Sequence, residues 1–362
     1  MSETLEQRIA ALATDCQIKA LGEDLKAAAA APVVDLSGSR AVIRLELAFP
    51  AKRFGRELAR ALKAAVEELP GIDAATVEVS SRITPHQVQP SVQRLQVVRN
   101  IIAVSSAKGG VGKSTVSANL ALALAAEGAR VGMLDADIYG PSQPRMLGVK
   151  GRPDSADGTT FEPMMSYNVQ SISVGYLIDE EEPMIWRGPM VTKALMQLLG
   201  NTRWKDLDYL IIDMPPGTGD IQLTLSQQVP VAGAVIVTTP QDIATLDARK
   251  GLQMFRKVNV PVLGIVENMS LHTCSNCGHQ EHIFGAGGGE RIAKDYGVPL
   301  LGSLPLDLKI REHADNGRPT VVADPDGEVA ALYRRIAVRM TAKLSMQATD
   351  FTHKMPKIVI KP

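Results

Sequence analysis

The first regular alternation of apolar and polar positions falls at Arg40–Phe49, where Ile43, Leu45, Leu47 and Phe49 share one face and Arg44 and Glu46 the other. A period of two predicts a half-buried strand. Arg56–Leu69 then carries Leu58, Leu62, Val66 and Leu69 at helical spacing, and Pro70-Gly71 stops it. Thr76–Ser80 reads as a second short strand, and residues 1–31 as one or two helices ending in the alanine run Ala27–Ala31. A small β-α-β unit therefore lies within residues 1–83. Thr84–Arg94 has two prolines, three glutamines and no periodicity, the composition of a linker. From Val97 the texture changes. Continuous apolar runs at Ile101–Val104, Val131–Leu134, Tyr209–Ile212, Ala234–Thr238 and Val262–Val266 alternate with helical patterns. Strands apolar on both faces, separated by helices, predict an α/β domain over residues 95–362, with a mostly parallel sheet covered by helices on both faces. No fixed-period repeat interrupts this scheme.

Composition narrows the class. The chain has 362 residues, long enough for two domains. It carries 39 basic and 39 acidic residues, a balance that argues against binding nucleic acid or anionic lipid by bulk attraction. Aromatics are only 4%, too few for rows of rings that stack on single strands. Apolar runs such as Val231–Val237 are far shorter than the roughly 18 residues of a membrane span. The N-terminus, Met1–Glu6, is acidic and has no secretion-signal pattern. The three cysteines, Cys16, Cys274 and Cys277, exclude a disulfide framework and predict a reducing, cytoplasmic setting.

The chemistry begins at the end of the first apolar strand. Ile101–Val104 runs into Ser105-Ser106-Ala107-Lys108-Gly109-Gly110-Val111-Gly112-Lys113-Ser114-Thr115 and then into a helix, Val116–Glu127, closed by Gly128. Strand, glycine loop and helix form the context of a phosphate-binding loop. Gly109, Gly110 and Gly112 let backbone N–H groups, Val111 among them, turn inward around phosphate oxygens, and the helix N-terminus adds partial positive charge. Lys113 would bridge the outer phosphates, the Ser114 hydroxyl would hold Mg²⁺, and Thr115 completes the motif. The strict pattern fails at its first glycine, which is Ala107.

Lys108 is additional to that pattern. Here the sequence resembles the deviant-Walker-A ATPases of the ParA/MinD type, whose loop reads KGGxGK[ST]. The resemblance implies that Lys108 reaches across a dimer to the partner's nucleotide; the alternative is a solvated loop lysine. Leu134-Asp135-Ala136-Asp137 ends a strand, where ligands bind in open α/β sheets. Tyr209–Asp213 is an apolar strand ending in Asp, the shape of a Walker B element, so Asp213 would order a Mg²⁺-bound water. By the resemblance, Asp137 positions the attacking water. Pro215–Asp220 follows as a γ-phosphate-sensing loop. The plainer reading of any one aspartate is a helix cap. Asn268 resembles the adenine-reading asparagine of the same superfamily, with a turn residue as the alternative.

Cys274-Ser275-Asn276-Cys277 stands within His272–His282, before the glycine run Gly285–Gly289. Three chemistries compete. A redox pair would want a thioredoxin-type fold. A zinc site could use both cysteines and two of His272, His279 and His282, though His272 and His279 flank the pair too closely for a finger. An iron–sulfur cluster wants about four thiolates, and a dimer offers both pairs. The stretch Val97–Asp326 resembles the Mrp/ApbC-type iron–sulfur cluster carrier ATPases. The resemblance rests on SSAKGGVGKST, DADIYGPS (135–142), WRGPM (186–190), DYLIIDMPPGTGD (208–220) and ENMS (267–270) followed by the cysteine pair. It implies a P-loop NTPase fold and a homodimer that hydrolyses ATP with Mg²⁺. It further implies a labile cluster, expected as [4Fe–4S], held on Cys274 and Cys277 of both chains. Its partners would be scaffold proteins and apo iron–sulfur proteins, with no nucleic acid or membrane. The N-terminal unit resembles the small iron–sulfur assembly domain often fused to such carriers, although its first 38 residues depart from that pattern. The alternative is a ParA/MinD-like spatial-organisation ATPase acting on DNA or membrane. The amphipathic segment Glu328–Gln347 bears on that choice, because its apolar face could pack in the core or lie on a membrane.

Overall fold

The computed structural model describes residues 4–90, 92–178 and 188–350. The N-terminal unit begins with helix α1 (Leu5–Leu21) and a short 3₁₀ turn (Glu23–Ala28). Strands β1 (Val33–Ser37) and β2 (Arg40–Leu47) form an antiparallel hairpin, and helix α2 (Lys52–Glu67) leads to β3 (Ala74–Ser81), which pairs parallel to β2. The expected β-α-β unit thus gains one strand. The apolar face of β1 is only Val34 and Leu36, partly buried against the N-terminal core, too short a run to stand out as a strand. Leu58, Leu62 and Val66 of α2 pack on Ile43 and Leu45 of β2 and on Ile9 of α1.

The second body is an eight-stranded sheet. Its strands are β4 (Val98–Ser105), β5 (Val131–Asp135), β6 (Met164–Ser166), β7 (Val169–Ser173), β8 (Leu207–Asp213), β9 (Gly233–Thr238), β10 (Val262–Glu267) and, after the two-stranded hairpin β11 (His272–Thr273) and β12 (Gln280–Glu281), β13 (Leu300–Ser303). The spatial order is β13-β10-β9-β4-β8-β5-β7-β6, and every pairing is parallel except β6 with β7. The helices are α3 (Lys113–Ala126), α4 (Gln143–Met146), α5 (Gly188–Asn201), α6 (Asp220–Gln228), α7 (Asp242–Lys257), α8 (Gly288–Tyr296), α9 (Leu308–Asp315), α10 (Thr320–Ala323) and α11 (Glu328–Ser345). Period-two strands split the core between the two faces. Ile101 and Ala103 join Leu195, Leu225, Leu252 and Ile292 of α5–α8, while Ile102 and Val104 join Leu120 and Leu124 of α3 and Ile336 and Met340 of α11. α3 is apolar nearly all round and accordingly buried between the sheet and α11.

The C-terminal helix therefore packs in the core. Arg335 faces solvent, and Arg334 turns inward to donate to the Pro325 carbonyl at 2.5 Å. Among the described residues no helix is long and apolar enough to cross a membrane.

The two bodies are joined along α11, where Val338 and Ala342 pack on Leu21, Leu25, Leu47 and Phe49, and at the far end of α3. The first residues of α2 have no local side-chain cap, and the Glu127 carboxylate replaces it, accepting from the N–H groups of Arg53 (2.8 Å) and Phe54 (3.1 Å). This remote cap explains why α2 starts at Lys52 rather than at the first periodic residue. The segment 84–94 is irregular, as its composition predicts, but it is packed rather than free. His86 is buried with its N–H on Asn100 Oδ1 (3.0 Å), Gln89 Nε2 donates to the Ser226 carbonyl (2.7 Å), and Arg94 pairs with Asp350 (2.8 Å).

Candidate functional site

β4 delivers the glycine loop to the C-terminal edge of the sheet, between the ends of β8 and β9. Gly110 and Gly112 take φ values of +79° and +83°, which only glycine adopts without strain. Gly112 is also a close approach, since a Cβ there would overlap the Asn268 amide. The helix starts at Lys113, three residues earlier than its apolar pattern suggests. The free N–H groups of its first turn, Lys113, Ser114 and Thr115, thus open onto the loop. Val111 is buried, while Lys108, Gly109 and Gly110 are exposed at the rim. At the position of the missing first glycine, the Ala107 methyl faces Gly251 of α7; a Cβ built on Gly251 would lie 3.6 Å from it. That is an ordinary van der Waals distance, so the small side chain at 107 fits without crowding α7.

Lys113 lies at the centre of an acidic cluster. Its Nζ donates to Asp213 Oδ1 (2.7 Å) and to Ser114 Oγ (3.1 Å), and lies 3.7 Å from Asp137 Oδ2. Asp213 is fully buried at the end of β8 and also accepts from Ser117 Oγ (2.9 Å) and Gln143 Nε2 (2.9 Å). Asp135, at the end of β5 beside it, accepts from the N–H groups of Ser142 and Gln143 (3.1 Å each) and from Ser173 Oγ (3.0 Å). Burial, reinforced by the Asp213 charge, pushes the Asp135 carboxyl up to about 7. Burial likewise raises Asp137, against the pull of Lys113. Three carboxylates around one ammonium leave the pocket short of positive charge. Its donors are hydroxyl and carboxylate oxygens, the set a hard divalent cation prefers, and they fit Mg²⁺.

The raised Asp135 makes the metal-free protein sensitive to pH. Its folded-state value of about 7 exceeds the unfolded 3.8, so between these limits only the folded chain holds the proton, and stability falls as pH rises through that window. Asp135→Asn cannot ionise. Urea unfolding in EDTA should show the wild type losing on the order of 2 kcal/mol relative to Asp135→Asn between pH 5 and pH 7; parallel pH profiles would refute this account.

Asn268 follows β10 and is buried, with its Nδ2 donating to the Val111 carbonyl at 2.9 Å. The amide therefore braces the loop, which its sequence context does not signal. Four residues on, the chain forms the β11–β12 hairpin, whose loop carries Cys274-Ser275-Asn276-Cys277-Gly278. The Cys274 N–H donates to the His279 carbonyl and the Gly278 N–H to the Cys274 carbonyl, both at 2.9 Å, with Gly278 at φ +72°. Cys277 is exposed and Cys274 partly so. The N–H groups of Cys277 and then Asn276 point at the Cys274 sulfur and hold its thiol below the ordinary value, which favours the thiolate that binds metal. His272 Nδ1 lies 3.1 Å from the Leu306 carbonyl and His282 Nδ1 2.6 Å from the Ser270 carbonyl, so both rings are tied to the backbone. Among the described residues no three His, Cys, Asp or Glu side chains converge on a metal position, so the zinc set is not assembled within this chain. Cys16 is remote, half-buried against the α1–α2 core. Trp186 and Arg187 of the WRGPM segment lie outside the described residues, and Met190 is exposed on α5.

Two participants escaped the sequence reading. Ser117 sits one helical turn after Lys113, a spacing that could have flagged it; Gln143 follows the DADIYGPS run with no pattern of its own.

Parallel sheet, glycine loop, buried lysine and strand-end aspartates define a P-loop NTPase. The description "ParA: NUBPL iron-transfer P-loop NTPase" matches residues 97–341, and the chain belongs to that family. It is 61% identical over 279 residues to an iron-sulfur cluster carrier protein of Pseudomonas fragi, covering 76% of this chain and 97% of that one. It is 56% identical over 292 residues to the iron-sulfur cluster carrier protein of Escherichia coli K12, covering 80% and 79%. Among solved structures it resembles a nucleotide-binding protein from Archaeoglobus fulgidus in complex with ADP, with a TM-score of 0.57 and 37% identity over 65% of this chain and 92% of that one.

Proposed function

We propose that this protein hydrolyses ATP and carries a labile iron–sulfur cluster, bridged between two subunits, to apo iron–sulfur proteins. The observation that carries this reading is the two-thiolate knuckle at the surface, shaped for metal but with no third ligand converging on it among the described residues, six residues from the asparagine that braces the phosphate loop. Two knuckles facing each other across a two-fold axis supply four thiolates, the set for a [4Fe–4S] cargo. The names of the carrier relatives favour this reading over a ParA/MinD-like organiser.

In hydrolysis, the loop N–H groups and Lys113 hold the outer phosphates, and Asp137 orients the attacking water. Ser114 and Asp213 would hold Mg²⁺, which when bound neutralises charge on the phosphates. Lys113 must exchange Asp213 for a phosphate, and so nucleotide binding reorganises the acidic cluster. Lys108, exposed at the rim, would reach a partner's nucleotide. With one amide hydrogen on Val111, Asn268 keeps its second for an adenine edge.

Coupling follows a continuous path. Asn268 Nδ2 holds Val111, and Met269 adopts a left-handed φ of +58°. The Ser270 carbonyl meets His282 beyond the hairpin, while the neighbouring Glu267 accepts from the Gly289 N–H (2.6 Å) at the start of α8. A shift of the loop on phosphate release therefore pulls on both ends of the cysteine hairpin. The test is anaerobic reconstitution with iron and sulfide, followed by chromatography and transfer to an apo acceptor. The expected product is a dimer with about four irons per pair of chains, whose transfer rate changes with ATP in the wild type and not in Asn268→Ala. A monomer that retains its full iron would sink the bridging reading.

A further inference from the structure

Gln143 opens α4, is fully buried, and is held from three directions. Its backbone N–H donates to Asp135, and its Nε2 donates to Asp213 Oδ2 (2.9 Å) and to the Ser114 carbonyl (3.1 Å). These partners fix the amide's orientation, because the flipped rotamer would set its oxygen against a carboxylate and a carbonyl. Both Nε2 hydrogens are then engaged, and Oε1 has no partner; the neighbouring Ser142 Oγ is buried and unpartnered as well. An unpaired buried acceptor costs about 1–3 kcal/mol, so two in one turn at the heart of the site imply donors that arrive from outside the chain.

The chemistry of those donors follows from their surroundings. Ser114 and Asp213, which flank the Gln143 amide, are the groups that fit Mg²⁺, an ion that keeps several of its waters when bound. A metal-bound water has its lone pair on the metal and offers only hydrogens, so it needs acceptors that do not also donate. Oε1 of an amide whose N–H₂ is already engaged meets that need.

We infer that Gln143 is a positioning residue for the Mg²⁺–nucleotide complex: Oε1 accepts from a water of the metal's hydration shell while Nε2 keeps Asp213 aimed at the same shell. The inference rests on the nucleotide-site reading above. It is tested by calorimetric titration of the full-length protein with ADP, in EDTA and in Mg²⁺. In Gln143→Met, similar in length and unable to accept, the enhancement of ADP affinity by Mg²⁺ falls about tenfold, the scale of one lost hydrogen bond to a charged centre. The affinity in EDTA stays at the wild-type value. In Gln143→Asn, which keeps both the accepting and the donating amide groups on a shorter arm, part of the enhancement is retained. A general loosening of the loop would instead weaken ADP equally with and without the metal. That parallel loss, or an unchanged enhancement in Gln143→Met, overturns the inference; should Gln143→Met fail to fold, either of the same two results in Gln143→Leu, which also lacks the acceptor, does so. Failure of the wild type to bind ADP under either condition overturns the nucleotide site itself.

Discussion

Replacing Lys113 with alanine should lower the rate of ATP hydrolysis by about three orders of magnitude, the scale on which one preorganised charged donor to a reacting phosphoryl group contributes. The argument rests on position. The ammonium lies 2.7 Å from Asp213 and 3.7 Å from Asp137, at the start of α3, which follows directly from the glycine loop. Its loss removes the charge that offsets three neighbouring carboxylates, so phosphate oxygens would enter a pocket of like sign. The same substitution acts on the free protein. Lys113 lowers the proton affinity of both Asp135 and Asp137, so without it both carboxyls titrate higher still. A carboxyl raised further in the folded state destabilises more as pH increases, and the variant should therefore lose more stability between pH 6 and pH 8 than the wild type. Asp213 keeps bonds from Ser117 and Gln143, which limits the penalty at low pH. Steady-state hydrolysis and urea unfolding at both pH values measure the two effects. Unchanged turnover would remove Lys113 from the reaction.

The sheet and the phosphate loop were legible because their causes are local. Buried parallel strands must be apolar throughout, and a loop that wraps phosphate needs glycine where φ is positive, so Ile101–Val104 and Gly110-Val111-Gly112 declare themselves. Features with a distant cause were not legible. The start of α2 is set by Glu127, 74 residues from Arg53 along the chain. The packing of 84–94 depends on Asn100, Ser226 and Asp350. β1 is a short edge strand whose two inward side chains, Val34 and Leu36, are only partly buried, so its pairing with β2 leaves little trace in the pattern of residues. The same division runs through the site. Lys113, Asp137 and Asp213 stand at strand or loop ends, where chemistry is expected; Gln143 and the brace from Asn268 to Val111 exist only once β8, β10 and the loop have been brought together.

Cys274→Ala and Cys277→Ala should each abolish iron retention after anaerobic reconstitution, while leaving the P-loop site intact. The knuckle owes its shape to main-chain bonds, Cys274 to His279 and Gly278 to Cys274, rather than to its sulfur atoms. Truncating one thiol therefore leaves the hairpin folded and the core untouched, since both side chains lie outside the buried clusters. In a bridged dimer each substitution removes two ligands from the cluster, because the same residue is lost from both chains. A site with half its thiolates cannot hold the cluster, whichever cysteine is removed. The two variants separate on a finer readout. Cys274 carries the N–H bonds that favour its thiolate, so metal binding by Cys277→Ala, which keeps that sulfur, should persist to lower pH in titrations with a thiolate-seeking metal ion. ADP binding and urea stability should match the wild type in both. If either variant kept the visible absorption of the reconstituted protein, the cluster would have to be held elsewhere, and the proposed bridge between subunits would fail with it.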